Sequence, residues 1–394
     1  MAITYYEQYA NKQLNEMVLL GSHDAAIATG GSNAKTQTMD IFGQAQEGAR
    51  FFDLRVAAFK TGFMSGTVEL RSYHDATKRS SPTFRGDDRM KVGDLSNSKH
   101  RNVKVHTTMA GVAGFGLQAM LQDAARFLLG EGANEFLIFK FDKSENWMLI
   151  YEACVRELDA GGFLYKNPNA LDRNLNTKTL DQLKGKVLIL FPYSEFARLP
   201  VSPELMHARG FLGWKNLYSK AEGSAKTYSD IFPGLQYYGK GGVSASASGD
   251  SGKINQNRDV QAKLMEGKGS FKVDKAGWKG RLGMQDKGEH DGSVDADVMG
   301  LMYWTTTGAS RKGILNRNGK MWADAVKTEM VHIGLQRTDR SIAPMGVNGA
   351  AVVVRKFMPN IIMVDFVDNM KGKLVFNLNA LAAVQIADSM EAML

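Results

Sequence analysis

The sequence predicts an α/β fold, a (β/α)8 TIM-type barrel, and three observations carry that expectation. Short runs that are apolar on both faces recur along the chain. Helical patterns lie between them, and charged residues stand at the carboxyl ends of several runs. The runs cover residues 17–20, 51–56, 103–106, 135–141, 186–191, 301–306 and 361–367. Strands of this kind suit a parallel sheet covered by helices, and roughly seven to eight units suffice to close a barrel. An open doubly wound sheet is the alternative, disfavoured because no Gly-rich dinucleotide fingerprint follows the first run.

Among the helices, Leu117–Leu129 is the best defined, with Leu117, Met120, Leu121, Ala124, Ala125, Leu128 and Leu129 on one stripe. Residues 39–49, with Gly48 near the end, 147–158 and 320–330 are further helical stretches. Two segments break the rhythm. Residues 62–101 hold a possible hairpin at 67–73 and then a basic, Ser-rich tract. Residues 193–257 hold Tyr237-Tyr238-Gly239-Lys240 and then a Ser/Ala/Gly-rich tract. Both read as loop insertions in a single barrel spanning 1–394.

Composition bounds the function classes. Apolar residues make up 44% and charged residues 23%, as in a typical globular chain, which excludes a disordered one. The longest apolar runs fall far short of the ~18 residues that a membrane span needs. Residues 1–15 lack the basic-then-apolar pattern of a secretory signal. The expectation is export by a signal-less route or as a processed form, or otherwise a cytoplasmic location. Cys154 is the single cysteine, so no intramolecular disulfide is possible. The net charge of +8 suits either an anionic partner, such as a phospholipid surface, or simply a solvated basic face. The basic tract at 78–101 carries only Phe84 as an aromatic, so it offers no platform for stacking bases and no nucleic acid is expected.

Three run ends carry candidate chemistry. The first ends in Gly21-Ser22-His23-Asp24, and the second contains Asp53-Leu54-Arg55, whose alternation points Asp53 and Arg55 to one side. The last run carries Asp365, and Asp368 follows it. Taken singly, each has a structural explanation: a cap, an internal ion pair, a turn. Taken together, at successive strand ends, they describe a site.

The order Leu19-Leu20-Gly21-Ser22-His23-Asp24, then Thr36-Gln37, then Gly48-Ala49-Arg50-Phe51-Phe52-Asp53-Leu54-Arg55-Val56, resembles the catalytic domain of phosphatidylinositol-specific phospholipase C. The likeness continues at Asn134–Ile138, Leu183–Val187 and 359–368. It implies cleavage of a phosphodiester in which the inositol 2-hydroxyl attacks its own phosphate, giving diacylglycerol and a cyclic inositol phosphate. His23 would be the general base and Asp365 its support. Arg55 would hold the phosphate. Asp24 would share in the acid step, and Asp53 would position Arg55 or the substrate. Calcium-dependent relatives place an acidic residue where Arg55 stands, so the resemblance implies a metal-independent, bacterial-type mechanism without a cofactor.

The general acid is either His106 or His74, and spacing to the next helix favours His106. Lys140 and Lys143, with Asp142, follow the run at 135–141 and could touch the head group; Arg198 is a further substrate-binding candidate. Two departures concern the pocket. The run at 186–191, taken as the fifth strand, ends in Pro192 and Tyr193 instead of basic residues. No acidic or aromatic inositol contact is recognisable near 254–257, where the sixth strand is expected. The aromatic residues of 211–238 read as core or as a lipid-facing rim. Competing readings are a metal-dependent glycerophosphodiester or sphingomyelin phosphodiesterase and a non-catalytic phosphoinositide-binding barrel. No protein partner is inferable.

Overall fold

A computed structural model describes residues 1–28, 35–61, 67–74, 78–80, 105–108, 113–167, 169, 172–196, 202–218, 227–241, 257, 260–261, 271–274, 287–290, 298–305, 342–344, 351–353 and 359–391. Eight strands close a barrel: β1 (Leu19–Ser22), β2 (Ala49–Leu54), β3 (Phe136–Phe141), β4 (Lys186–Pro192), β5 (Phe211–Asn216), β6 (Gly234–Lys240), β7 (Met299–Tyr303) and β8 (Ile361–Val364). Every neighbour pair is parallel and follows chain order, and β8 closes against β1 with Leu19 opposite Ile361. The barrel is the expected fold.

Alternation along these strands sorts the core into two layers. Leu19, Phe51, Phe136, Ile138, Leu188, Leu190, Leu212, Leu235, Met299, Leu301, Ile361 and Met363 form one buried cluster, inside the barrel. Leu20, Phe52, Leu54, Leu137, Phe139, Val187, Ile189, Ile362 and Val364 form the other, which packs under helices such as Leu117–Leu129. This explains why the runs read as apolar on both faces. Each such side chain contributes about 1.5–3 kcal/mol on burial.

Three polar devices seal the amino ends of the strands. Asn360 donates to the carbonyls of Asn15 (2.7 Å) and Met17 (3.1 Å) and accepts from the Gly300 amide (2.8 Å), joining β7, β8 and β1. Asn379, in the last helix (Asn369–Glu391), accepts from the Val18 amide and donates to the Val18 carbonyl. Arg50 donates to Glu135 at 2.7 Å, with both side chains buried.

Between β2 and β3 the chain leaves the barrel to form a side sheet. Its strands lie in the order Thr67–Ser72, Val56–Thr61, Val105–Thr108, Lys78–Ser80. The segment 67–73, expected to hold a hairpin, holds a single strand, Thr67–Ser72, antiparallel to Val56–Thr61. Two further expectations are corrected. The run at 103–106 is not a barrel strand: Val105–Thr108 pairs with Val56–Thr61 and Lys78–Ser80. Nor is 193–257 merely an insertion, because it contains β5 and β6. Their glycines (Gly213, Gly234, Gly239) and polar residues hid the hydrophobic pattern. The helix expected at 320–330 lies outside the described residues, as does Arg198. Among the described residues, no helix is long and apolar enough to cross a membrane.

Candidate active site

The inward alternation that builds the core ends, at the carboxyl mouth, in polar groups. On β1 it runs Leu19, Gly21, His23; on β8 it runs Ile361, Met363, Asp365. Gly21 lets these two strands close tightly, since a Cβ there would sit 2.4 Å from the Met363 sulfur. One step above that contact, His23 Nδ1 lies 2.8 Å from Asp365 Oδ1, and the Asp365 side chain is fully buried. The carboxylate fixes Nδ1 as the protonated nitrogen and leaves Nε2 to meet a substrate. The Tyr303 ring packs edge-on against the imidazole, 5.6 Å away.

Asp24 is the hub of the cluster. One of its oxygens lies 3.1 Å from Arg55 Nε, and the other lies 3.6 Å from His23 Nε2 and 3.8 Å from His74 Nε2. Asp24 itself has φ +43°, and Phe366, just after Asp365, has φ +53°. Left-handed backbone at such residues costs on the order of 1–3 kcal/mol each and persists only where the surroundings enforce it. Burial acts most strongly on His23 and would lower its pKa. The negative charges of Asp24 and Asp365, the hydrogen bond to Asp365 and the charge of Asp53 outweigh it and push the pKa up to about 9.

A second polar group lies on β2 and β3. Lys140 is buried, 3.0 Å from Asp53 and 3.3 Å from Asp142, and its ammonium stands 4.5 Å from the centre of the Trp214 ring and 5.9 Å from that of Tyr237. Burial would lower the Lys140 pKa, but Asp142 and Asp53 hold it well above the ordinary value. Burial pushes the hydroxyls of Tyr237 and Tyr303 up, so both stay neutral donors. Trp214 on β5 and Tyr237 on β6 thus flank the Lys140 ammonium. The strand count had slipped by one, since 186–192 is the fourth barrel strand and the fifth carries Trp214. Trp214, Tyr237, Tyr238, Phe211, Leu212, Phe232 and Leu235 are all buried, so none of them forms an exposed lipid rim.

The remaining candidates divide. His74, with 29% of its side chain exposed, stands at the cluster. His106 sits on the side sheet, 1% exposed, with Nε2 2.6 Å from Glu145. The spacing to the helix Leu117–Leu129 that favours His106 does not fix which groups its side chain meets. Lys143 is exposed, at φ +47°, and its carbonyl accepts from the Tyr73 hydroxyl.

Among the described residues, His23, Asp24 and Asp53 offer ligand atoms within 4.8 Å of one another, a donor set that a divalent cation could use. Each carboxylate already faces a fixed cation, Arg55 for Asp24 and Lys140 for Asp53.

Several solved structures are similar to this chain. The phosphatidylinositol-specific phospholipase C from Listeria monocytogenes is 13% identical, with 93% of this chain and 94% of that one covered and a TM-score of 0.47. A phosphatidylinositol-specific phospholipase C mutant from Staphylococcus aureus is 14% identical, with 94% and 95% covered and a TM-score of 0.48. A calcium-dependent phosphoinositol-specific phospholipase C from a Pseudomonas species is 12% identical over 59% of this chain and 78% of that one, at a TM-score of 0.35. No family model and no curated protein sequence matches the chain.

Proposed function

We propose that this chain is a phospholipase C-like phosphodiesterase that acts on a phosphoinositide by general acid–base catalysis. The observation that carries the reading is the His23–Asp365 pair at 2.8 Å, set beside Asp24, which gathers Arg55 and His74 within 4 Å. His23, in its neutral form, takes the proton of the inositol 2-hydroxyl. That oxygen attacks the adjacent phosphorus, and the bond to the glycerol oxygen breaks. His74 gives its proton to that leaving oxygen, and diacylglycerol departs from a cyclic inositol phosphate. Asp365 steadies the imidazolium that forms on His23. Arg55 stabilises the charge growing on the phosphate oxygens. Asp53, Lys140, Tyr237 and Tyr303 present donors and acceptors to the ring hydroxyls.

His74 replaces His106 in this scheme because it is open to solvent where the leaving group departs. His106 is sealed against Glu145. The His23–Asp24–Asp53 set keeps a second reading open, that of a metal-dependent glycerophosphodiester or sphingomyelin phosphodiesterase. The deciding experiment is phosphorus NMR of the products from phosphatidylinositol vesicles. A cyclic phosphate signal supports the proposal; hydrolysis without a cyclic product, or binding without turnover, defeats it. Within it, His74→Ala should lose ~10²–10⁴-fold in kcat, and His106→Ala should lose far less. The reverse order would restore His106 as the acid.

A further inference from the structure

Thr36 and Gln37 lie outside every strand and helix, yet both are buried and both face the ends of β1 and β8. The Thr36 hydroxyl donates to the Asp24 carbonyl at 2.9 Å, and the Thr36 carbonyl accepts from the Phe366 amide at 2.7 Å. One residue therefore touches both left-handed positions of the site, Asp24 at φ +43° and Phe366 at φ +53°. The Gln37 amide nitrogen donates to the carbonyls of His23 (2.9 Å) and Val364 (3.2 Å). Its oxygen accepts from the Val367 amide at 3.0 Å, which fixes the orientation of the group. Both main-chain amides, Thr36 N–H and Gln37 N–H, donate to the Ile27 carbonyl, so the clasp is anchored on the turn that follows Asp24.

These contacts converge on the carbonyls and amides next to His23 and Asp365, and none reaches a reacting atom. Because β1 and β8 come from opposite ends of the chain, the imidazole–carboxylate distance depends on how two sequence-remote strand ends are registered. The ladder reaches Ser22 opposite Val364 and then stops. Beyond it, the His23 amide donates to the Val364 carbonyl, and Thr36 and Gln37 continue the connection across the seam.

We infer that Thr36 and Gln37 are positioning residues, a clasp that holds the ends of β1 and β8 so that His23 and Asp365 meet in a geometry fit for proton transfer. The inference rests on the proposed role of this pair. It goes further by assigning the geometry to two residues with no chemistry of their own. Loss of the clasp lets the imidazole drift by a fraction of an ångström to an ångström, a displacement that can cost on the order of a hundredfold in rate.

The test uses the full chain with Thr36→Val, Thr36→Ser, Gln37→Met and Gln37→Glu. Thr36→Val keeps the shape and removes only the hydroxyl, which donates to the Asp24 carbonyl and, at 3.5 Å, to that of Ile27, so its fold is retained even if Gln37→Met disrupts packing. Two readouts are taken: steady-state cleavage of phosphatidylinositol, and the low-field proton resonance of His23 Nδ1 in the substrate-free protein. Thr36→Val and Gln37→Met are expected to lower kcat ~10- to 100-fold with KM nearly constant, and to broaden the Nδ1 signal through faster exchange. Thr36→Ser, which keeps the hydroxyl, recovers most of the loss. Gln37→Glu keeps the acceptor for Val367 but turns an oxygen toward the His23 carbonyl, and it loses as much as Gln37→Met. A Thr36→Val protein with wild-type kcat and an unaltered Nδ1 signal overturns the inference. So would equal loss in Thr36→Val and Thr36→Ser. The resonance is read without substrate. A signal that responds to these variants in a protein making no cyclic phosphate would therefore uphold the clasp while removing the proposed reaction.

Discussion

Strand β2 carries an arginine toward each end of the barrel, and the two arginines live in opposite conditions. Arg50, at the amino end, has no exposure. Its Nε binds Glu135, one terminal nitrogen reaches the carbonyls of Ala45 and Ala49, and the other reaches Ile3. The partner is equally satisfied, since Glu135 accepts from the amides of Tyr5 and Tyr6. Arg55, just past the carboxyl end, retains 13% side-chain exposure and meets Asp24, which also faces two imidazoles at longer range. A saturated pair in a dry setting fixes a fold. A looser group of like and unlike charges at a mouth can exchange partners with an incoming anion.

The sharpest way to break that contrast is to substitute both arginines. Arg55→Lys keeps the charge but loses the planar fork, so kcat should fall ~10²–10³-fold, the range for a lost transition-state donor. The midpoint of urea unfolding should scarcely move. Arg50→Met should do the opposite. It leaves the Glu135 charge buried without its partner, which costs ~3–5 kcal/mol of stability, while the folded fraction keeps its kcat. Equal losses of activity in both variants would show that the two ends are not separate in function.

The contrast also explains what the sequence made legible. His23-Asp24 and Asp53-Leu54-Arg55 stand in contiguous motifs at strand ends, and Asp365 closes a run apolar on both faces, so this half of the site was readable. The pocket half was not. Trp214 and Tyr237 lie on strands whose glycines and polar residues break the apolar pattern, so in sequence the segment reads as an insertion. The choice between His106 and His74 turns on a related property. Residues 105–108 have strand character, and local sequence does not tell whether a strand pairs with the barrel or with a hairpin beside it. Tertiary pairing sets His106 beside Glu145 and His74 beside Asp24, and on that ground the proposal gives the acid role to His74.

A smaller effect, seen in stability, separates the mouth from the base by pH. His23 has its folded pKa raised from 6.5 to about 9, so the folded state binds its proton more tightly than the unfolded state. The resulting stabilisation is complete below pH 6.5 and is lost as pH rises through 9. A shift of that size in a buried group corresponds to roughly 3 kcal/mol. Thermal unfolding followed between pH 6 and 10 should show the midpoint falling across this window, and Asp365→Asn should flatten the fall. Catalysis needs His23 neutral while His74 is protonated, so kcat/KM should be bell-shaped in pH, and Asp365→Asn should move the limb that His23 sets to lower pH at a reduced maximum. A wild-type stability profile that is level from pH 6 to 10 would mean that Asp24 and Asp365 do not hold the His23 proton as their positions imply.

The smallest expected effect is that of a chelator, and it tests whether the cations of the mouth are supplied by the protein itself. Asp24 and Asp53, with His23, could ligate a divalent ion. But Arg55 lies 3.1 Å from Asp24 and Lys140 lies 3.0 Å from Asp53, and both side chains are covalently fixed where an ion would otherwise neutralise the carboxylates. A metal bound there would have to displace or repel a guanidinium and an ammonium, a repulsion that is strong in a poorly solvated site. Activity after exhaustive EDTA dialysis should therefore equal that before it, and added calcium or magnesium should not raise it. Replacing Arg55 with Asp should change the outcome, because it removes one fixed cation and adds a third carboxylate beside Asp24. That variant is expected to be inactive alone and to regain part of its rate with calcium. If instead the unaltered protein loses activity with EDTA and regains it with calcium, the arginine is not the charge that the reaction uses, and the metal-dependent reading takes its place.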